Sequence, residues 1–563
     1  MFRALRHRIK RAGVIADGAA FATDVLNRSG FLGALSPSGI FNFARAARGL
    51  KPGPHLGLLL HALNKPEKVG LIEGTRRIRF GELNTLINQF AHALVSVGVQ
   101  PGDRIAIMLP NSVEYVIAQQ ALLRLGVTAV QVGYKLKAPE IAYILENSEP
   151  TAVVVHRNYL ELMDKARKQA GAPDDSTVIV CRAKEGERLS SGQRYEDLLA
   201  TMDGTKPPAK SDADQAGVIV YTSGTTGKPK GANRSMKSTG LTAVGDFVAQ
   251  VGMNHDDRHL VVCPLYHSAA PAFVAMMYSL GATVVVGDHF KADKVLELIE
   301  RERITCAFMV PTMLRRMADL DEATRAKFDT SSLRWIMSGA APLPTETANR
   351  FQASFGRILY NFYGSTETGL VTLAGPEDHG SRPGTVGRML RGNEIRLLDD
   401  DGDEVPVGDI GELYCRNSML IAGYHRNKEA TDKSQRDGFF SVGDLAKCDA
   451  DGYYFMASRK HDMVISGGVN IYPREIEEYL HNHPDIVEAA VIGVPDDEWG
   501  ESLKAFVVCR SGASLTFEEI ALFCREGLAN YKQPRHVEFM AELPRNPTGK
   551  VLKRELRLLT ERS

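Results

Sequence analysis

The sequence predicts an α/β fold: a large N-terminal domain of α/β subdomains plus a β-rich subdomain, followed by a small α+β C-terminal domain. Short apolar runs at 152–155, 178–180 and 218–220 alternate with amphipathic helical segments, the pattern of helices packed on a largely parallel sheet. Beyond about residue 385 the texture changes. Runs at 394–398, 412–415 and 453–455 are separated by Asp-Gly and Gly-Glu turns, which join strands as hairpins rather than through helical crossovers.

Taken in chain order, Leu86, Ile87, Phe90, Leu94 and Val95 fall at helical spacing from Leu83 and stop at Gly98; Pro101-Gly-Asp103 then leads into a strand at 104–109. Residues 114–125 repeat the helical pattern. Residues 268–287 are uncharged, but Pro271, Tyr278, Ser279 and Gly281 interrupt them and 283–286 is β-branched, so they read as a buried helix and a buried strand rather than a membrane span. Arg459-Lys-His-Asp462 precedes a compact tail with a helix opening at Pro473, strands near 487–494 and 505–509, and a helix after Thr516. The resulting boundaries are an N-terminal extension at 1–60, a large domain at 61–458, a hinge at 459–462 and a small domain at 463–563.

Sixty-eight basic residues balance sixty-eight acidic ones. No net field therefore argues for nucleic acid, and any anion site must come from local placement. Seven scattered cysteines without a CxxC pair give neither a zinc site nor a disulfide framework and suit a reducing cytoplasm. The N-terminus, Met1-Phe-Arg-Ala-Leu-Arg-His-Arg-Ile-Lys-Arg11, is basic but is followed by Asp17 and Asp24 without an apolar core, which argues against a cleaved signal. Peripheral contact with the inner face of the membrane through this segment and a homodimeric state are carried as expectations.

The segment Tyr221-Thr-Ser-Gly-Thr-Thr-Gly-Lys-Pro-Lys-Gly231 holds three glycines, four hydroxyls and two lysines behind an apolar run. Such a composition suits a phosphate: glycines let backbone N–H groups approach an anion, hydroxyls donate, and lysines add charge. Gly224 and Gly227 enclose only two residues, so the loop is not a Walker A motif.

The loop resembles the signature of the adenylate-forming superfamily, which includes acyl-CoA synthetases, luciferases and peptide-synthetase adenylation domains. Pro264-Leu-Tyr-His267, Gly339-Ala-Ala-Pro342, Tyr363-Gly-Ser-Thr-Glu-Thr-Gly369, Gly443-Asp-Leu445, Arg459, Gly467-Gly-Val-Asn-Ile-Tyr-Pro-Arg-Glu-Ile-Glu477 and Pro547-Thr-Gly-Lys550 match its remaining motifs in order. The resemblance implies ATP, Mg²⁺ and coenzyme A as cofactors and a mobile C-terminal domain. It places Thr222, Ser223, Gly224, Thr225, Thr226, Gly227, Lys228 and Lys230 on phosphate; Gly339, Ala340, Ala341, Pro342, Asn361, Tyr363 and Gly364 around adenine; Asp444 and Arg459 at the ribose; and Gly467 and Gly468 on the thiol tunnel. By the same resemblance, Lys550 is expected to bridge carboxylate and α-phosphate, Thr366 to meet the α-phosphate, Glu367 to hold Mg²⁺ and His267 to gate the acyl site. At the hinge this chain carries His461 where relatives commonly have Asp or Lys, which could make domain rotation pH-sensitive.

The chemistry is consistent with these types. A carboxylate has no good leaving group until AMP is attached, and joining two anions calls for positioning and cationic stabilisation. The segment 264–363 has no extra block and no carrier domain follows Lys550, which leans toward coenzyme A as acceptor. Small apolar residues at 269–277 point to an acyl tunnel and a medium- to long-chain fatty acid. Aryl or sterol-derived acids, a carrier-protein acceptor and a lipid-binding or uptake protein at the membrane surface are the competing readings.

Overall fold

The computed structural model describes residues 21–560 except 22, 32, 34, 49–52, 54, 172–173, 208–215, 223–228, 236–239 and 547–548. The basic segment 1–11 lies outside the described residues. Two sheets and the helices between them form the large unit. One runs through Gly217–Thr222, Thr128–Gln131, Arg104–Met108, Ala152–His156 and Val178–Cys181 in parallel register, with Lys230–Ser235 antiparallel at its flank. These strands are rich in valine and isoleucine and buried on both faces, as parallel strands covered by helices must be.

The second sheet begins with Val69–Glu73, Thr283–Val286, Arg258–Val261, Cys306–Met309, Trp335–Ser338 and Leu359–Ser365 in parallel. At Leu359–Ser365 the pairing turns antiparallel to Gly369–Ala374, and the hairpin strands Thr385–Met389, Tyr453–Arg459, Phe439–Cys448, Gly411–Arg416 and Glu394–Leu398 follow in the same sheet. The β-rich part is therefore joined to the parallel part through continuous backbone pairing.

The helix Val113–Leu125 lies between the sheets. Ser112 caps it by accepting from the Tyr115 N–H, and Gly126 ends it in the left-handed conformation at φ 73°. Every residue along it is buried, including Gln119, Gln120 and Arg124, the signature of a helix with no solvent face. The stretch 268–287 folds as the helix Ala269–Leu280 and the strand Thr283–Val286. Upstream, His55–Asn64 packs on this helix and Pro37–Ala46 packs on His55–Asn64; Gly57 lies so close that a Cβ there would sit 2.6 Å from the Ser279 Cα. Among the described residues no helix is long and apolar enough to cross a membrane.

After the single turn Lys460–Asp462, the chain forms the hairpin Val464–Ser466/Val469–Ile471 and a sheet of Ile486–Asp496, Gly500–Cys509 and His536–Phe539. Helices Pro473–Leu480 and Phe517–Gly527 cover it around a separate core that includes Ile476, Val491, Val507 and Ile520.

Candidate active site

Ser223, Gly224, Thr225, Thr226, Gly227 and Lys228, expected from the sequence to hold phosphate, lie outside the described residues. Their flanks are strands rather than loop: Thr222 ends Gly217–Thr222 and Lys230 begins Lys230–Ser235, paired in register. This pairing brings Thr222 Oγ1 to 3.5 Å from Glu367 Oε1 and the Lys230 ammonium to 5.2 Å from the Tyr424 ring centroid. Tyr424 donates its hydroxyl to the same Glu367 oxygen at 3.1 Å. Thr366, the neighbour of Glu367, has its Oγ1 2.9 Å from Ser268 Oγ at the head of the helix Ala269–Leu280.

Arg234 shares a strand face with Lys230, two alternations along. It donates to the carbonyls of Thr366 and Met419 and so ties down the Glu367 turn; burial lowers its pKa to about 10, against the pull of Glu367. Arg234, Tyr424 and Ser268 are site residues that motif reading missed. The two-residue alternation from Lys230 is the one sequence signal that pointed to Arg234.

Asp444 and Arg459 face each other across adjacent strands, and Arg459 Nε lies 3.0 Å from Asp444 Oδ1. Tyr363 donates its hydroxyl to Asp444 Oδ2 at 2.9 Å, and burial together with that carboxylate drives the phenol pKa well up. Phe362 and Gly364, rather than Tyr363, form the cavity wall at this strand. Gly364 is required there: a Cβ would fall 1.9 Å from the Gly369 carbonyl oxygen. At Gly339 a Cβ would meet the Phe362 ring at 2.5 Å, and Ala340 follows at φ 66°, a left-handed conformation unusual for a residue with a side chain. Ala341 and Pro342 continue this turn, and Asn361 donates to the Thr385 carbonyl at 3.4 Å.

Lys550 comes from the other unit. Asn546 shapes its loop by accepting the Lys550 N–H through Oδ1 and the Gly549 N–H through its carbonyl, both at 2.9 Å. Gly549, at φ 81°, packs its Cα against Thr312 of the large unit. Burial and the Arg459 guanidinium lower the Lys550 pKa to about 8, against Asp444, Asp462 and Glu367. The ammonium thus sits in the field of Asp444, Asp462 and Glu367 together.

Docking of the units is fixed by Glu488, which Arg315 of the large unit meets at 2.5 Å and Arg545 of the small unit at 2.8 Å. Thr345 N–H also donates to Glu478 at 2.7 Å. Gly467 and Gly468 form the hairpin turn against Trp499, away from the cavity that Lys550 enters. His461 is half-buried, 3.7 Å from Asp462; burial, Arg459, Lys550 and Arg557 hold its pKa below 6.5, with Asp462 opposing them.

These groups open on one cavity of about 2820 Å³. From Lys550, Arg459, Glu367 and Thr366 it passes His267 and follows the helix Ala269–Leu280 to Leu56 and Leu280. The His267 ring lies 4.2 Å from that of Tyr266 at a tilt of 51°, its Nε2 has no partner among the described residues, and burial lowers its pKa to about 3, so the ring is neutral.

Comparison with known proteins identifies the family. Residues 60–425 match the AMP-binding enzyme family and residues 475–550 the AMP-binding enzyme C-terminal domain. The chain is 33% identical over 481 residues to the long-chain-fatty-acid–CoA ligase FadD13 of Mycobacterium tuberculosis, covering 85% of this chain and 93% of that one. It is 35% identical to 3-[(3aS,4S,7aS)-7a-methyl-1,5-dioxo-octahydro-1H-inden-4-yl]propanoyl:CoA ligase of Rhodococcus jostii, covering 87% and 95%. The crystal structure of the anthranilate CoA ligase AuaEII in complex with anthranoyl-AMP superposes with a TM-score of 0.82 at 28% identity, covering 91% and 98%. Enzymes of this kind use ATP, Mg²⁺ and coenzyme A. The chain belongs to the adenylate-forming AMP-binding enzyme family and is an AMP-forming acid–CoA ligase.

Proposed function

We propose that the enzyme activates a medium- to long-chain fatty acid as acyl-AMP and passes the acyl group to coenzyme A, releasing pyrophosphate and AMP. The observation that carries the acid class is the run of small and apolar side chains along the helix Ala269–Leu280, which lines the cavity from Thr366 to Leu56 without a charged residue on that helix. An unbranched hydrocarbon fits such a wall through burial alone, at about 0.8 kcal/mol per methylene.

In this reading Lys550 neutralises the carboxylate and α-phosphate as they meet, Thr366 donates to the phosphate, and Asp444 with Arg459 holds the ribose. Glu367 would hold Mg²⁺, which when bound neutralises phosphate oxygens. Among the described residues no cluster of three or more acidic, His or Cys side chains could bind a metal by itself. One carboxylate completed by phosphate and water is the arrangement Mg²⁺ favours. The neutral ring of His267 beside Ser268 would shape access of the acid. Gly467 and Gly468 would line the thiol path after the small domain turns about residues 459–462.

Purified enzyme given ATP, Mg²⁺, coenzyme A and acids of graded length should release AMP fastest with aliphatic acids of medium to long chain. A second reading, a bulky ring acid, is favoured by the likeness to the Rhodococcus ligase; turnover confined to ring acids would establish it and remove the first. His267→Ala should change the KM for the acid at unchanged melting temperature, whereas loss of stability alone would assign the ring a packing role.

A further inference from the structure

The helix Val113–Leu125 presents Val116, Gln119, Gln120 and Leu123 to the cavity. One turn beyond Gln120 stands Arg124, and both are only 3% exposed. Among the described residues the Arg124 guanidinium makes one hydrogen bond, to Asn88 Oδ1, and its Nε has no partner. Among the described residues no carboxylate lies within ion-pair distance of it. Other buried arginines are anchored differently: Arg167 pairs with Asp164 and Asp175, and Arg234 lies beside Glu367. Two more polar atoms without a partner among the described residues lie at this place, Gln120 Oε1 and Nε2 of His55, itself 3% exposed. Burial and the Arg124 charge lower the His55 pKa to about 4, so the imidazole is neutral and within the field of the guanidinium.

This cluster lies just behind the far end of the acyl cavity: Gln120 is in its wall, and Arg124 and His55 stand immediately beyond. The helix Ala269–Leu280 starts at the Ser268–Thr366 contact, and its twelve residues span about 18 Å at the helical rise. At its other end His61 Nε2 lies 3.2 Å from the Ser279 carbonyl oxygen and Gly57 abuts Ser279. These contacts fix His55–Asn64 there, with Gly53 and Leu56, the neighbours of His55, in the cavity wall.

A buried charge with no counter-charge is strongly unfavourable, and such groups are retained where a ligand completes them. We infer that the acid activated here carries a second carboxylate at the end remote from the activated carboxyl, received by Arg124 with Gln120 and His55 beside it. The unpaired Nε edge of a guanidinium suits a carboxylate in bidentate geometry. Neutral His55 donates one ring N–H, and a turn of the Gln120 amide presents its N–H₂ to the same oxygens. The inference rests on the aliphatic-acid reading above and narrows it to long-chain α,ω-dicarboxylic acids.

The test compares hexadecanedioic acid, its monomethyl ester and hexadecanoic acid as substrates for coenzyme A-dependent AMP release. The diacid should exceed both others in kcat/KM by about tenfold or more, since a site with buried polar groups disfavours the analogue that leaves them unpaired. Arg124→Met should collapse the diacid-to-monoacid ratio by on the order of 100-fold, and Arg124→Lys should keep part of it. A measurement free of any variant accompanies these: the diacid, and not the monoacid, should raise the melting temperature of the wild-type protein. Equal use of diacid and monoacid, or an unchanged ratio in folded Arg124→Met, overturns the inference and leaves the fatty-acid reading standing. Turnover of ring acids alone removes both.

Discussion

Replacing Lys550 by methionine should disable the enzyme and stabilise it together. In the folded protein, burial and Arg459 bring the ammonium pKa from the ordinary 10.5 to about 8. At about 1.4 kcal/mol per pH unit of displacement, holding the charged form there opposes folding by about 3 kcal/mol. Because the unfolded chain binds this proton more tightly, stability rises with pH between the two values. The opposition is complete below about pH 8, shrinks from there toward 10.5, and vanishes above. Lys550→Met should therefore gain up to about 3 kcal/mol at neutral pH, and the gain should fade as pH rises through that window. Urea titrations read by fluorescence follow both units, since Trp335 lies in the large one and Trp499 in the small. In parallel, acyl-AMP formation should be lost while supplied acyl-AMP still yields thioester. A variant less stable at neutral pH, or a difference flat in pH, would refute the electrostatic account; equal loss of both half-reactions would refute the role.

Asp444→Asn takes one charged acceptor from Arg459 and Tyr363 and should raise the KM for ATP by about 10-fold or more; initial rates at varied ATP decide it, and an unchanged KM counts against ribose contact. Glu367→Gln should shift half-saturation to higher Mg²⁺ and lower the rate, with an unaltered Mg²⁺ curve assigning the metal elsewhere. Protonating His461 adds a fourth positive charge to Arg459, Lys550 and Arg557, with Asp462 opposing them. The balance between the half-reactions should then change as pH falls below 6.5 in the wild type and stay level in His461→Lys; superimposable profiles would end that idea.

Much of the scaffold was legible because its elements carry strong local patterns. The stripe from Leu83 to Val95 folds as the helix Phe80–Ser96, and the valine runs become central strands. Continuity of the second sheet was not, since nothing local to Leu359–Ser365 tells that it pairs in parallel on one side and antiparallel on the other. Complete enclosure of Val113–Leu125 also escaped sequence reasoning, because Glu114 and Arg124 look like solvent-facing charges until both sheets are in place. The motifs located Asp444, Glu367 and Lys550. Tyr424, which meets Glu367, and Arg234 and Ser268, which meet Thr366, are brought in by pairing across the fold, and single residues carry no mark of such contacts.

Glu488 accepts one arginine from each unit in a nearly dry setting. When the units part, water rehydrates the ions it had been excluded from, which offsets most of the attraction lost. A seam closed by such a pair can seat Lys550 firmly yet open with little net change in free energy. An apolar seam of equal area would strand greasy surface on every opening and tend to arrest the small unit in one pose.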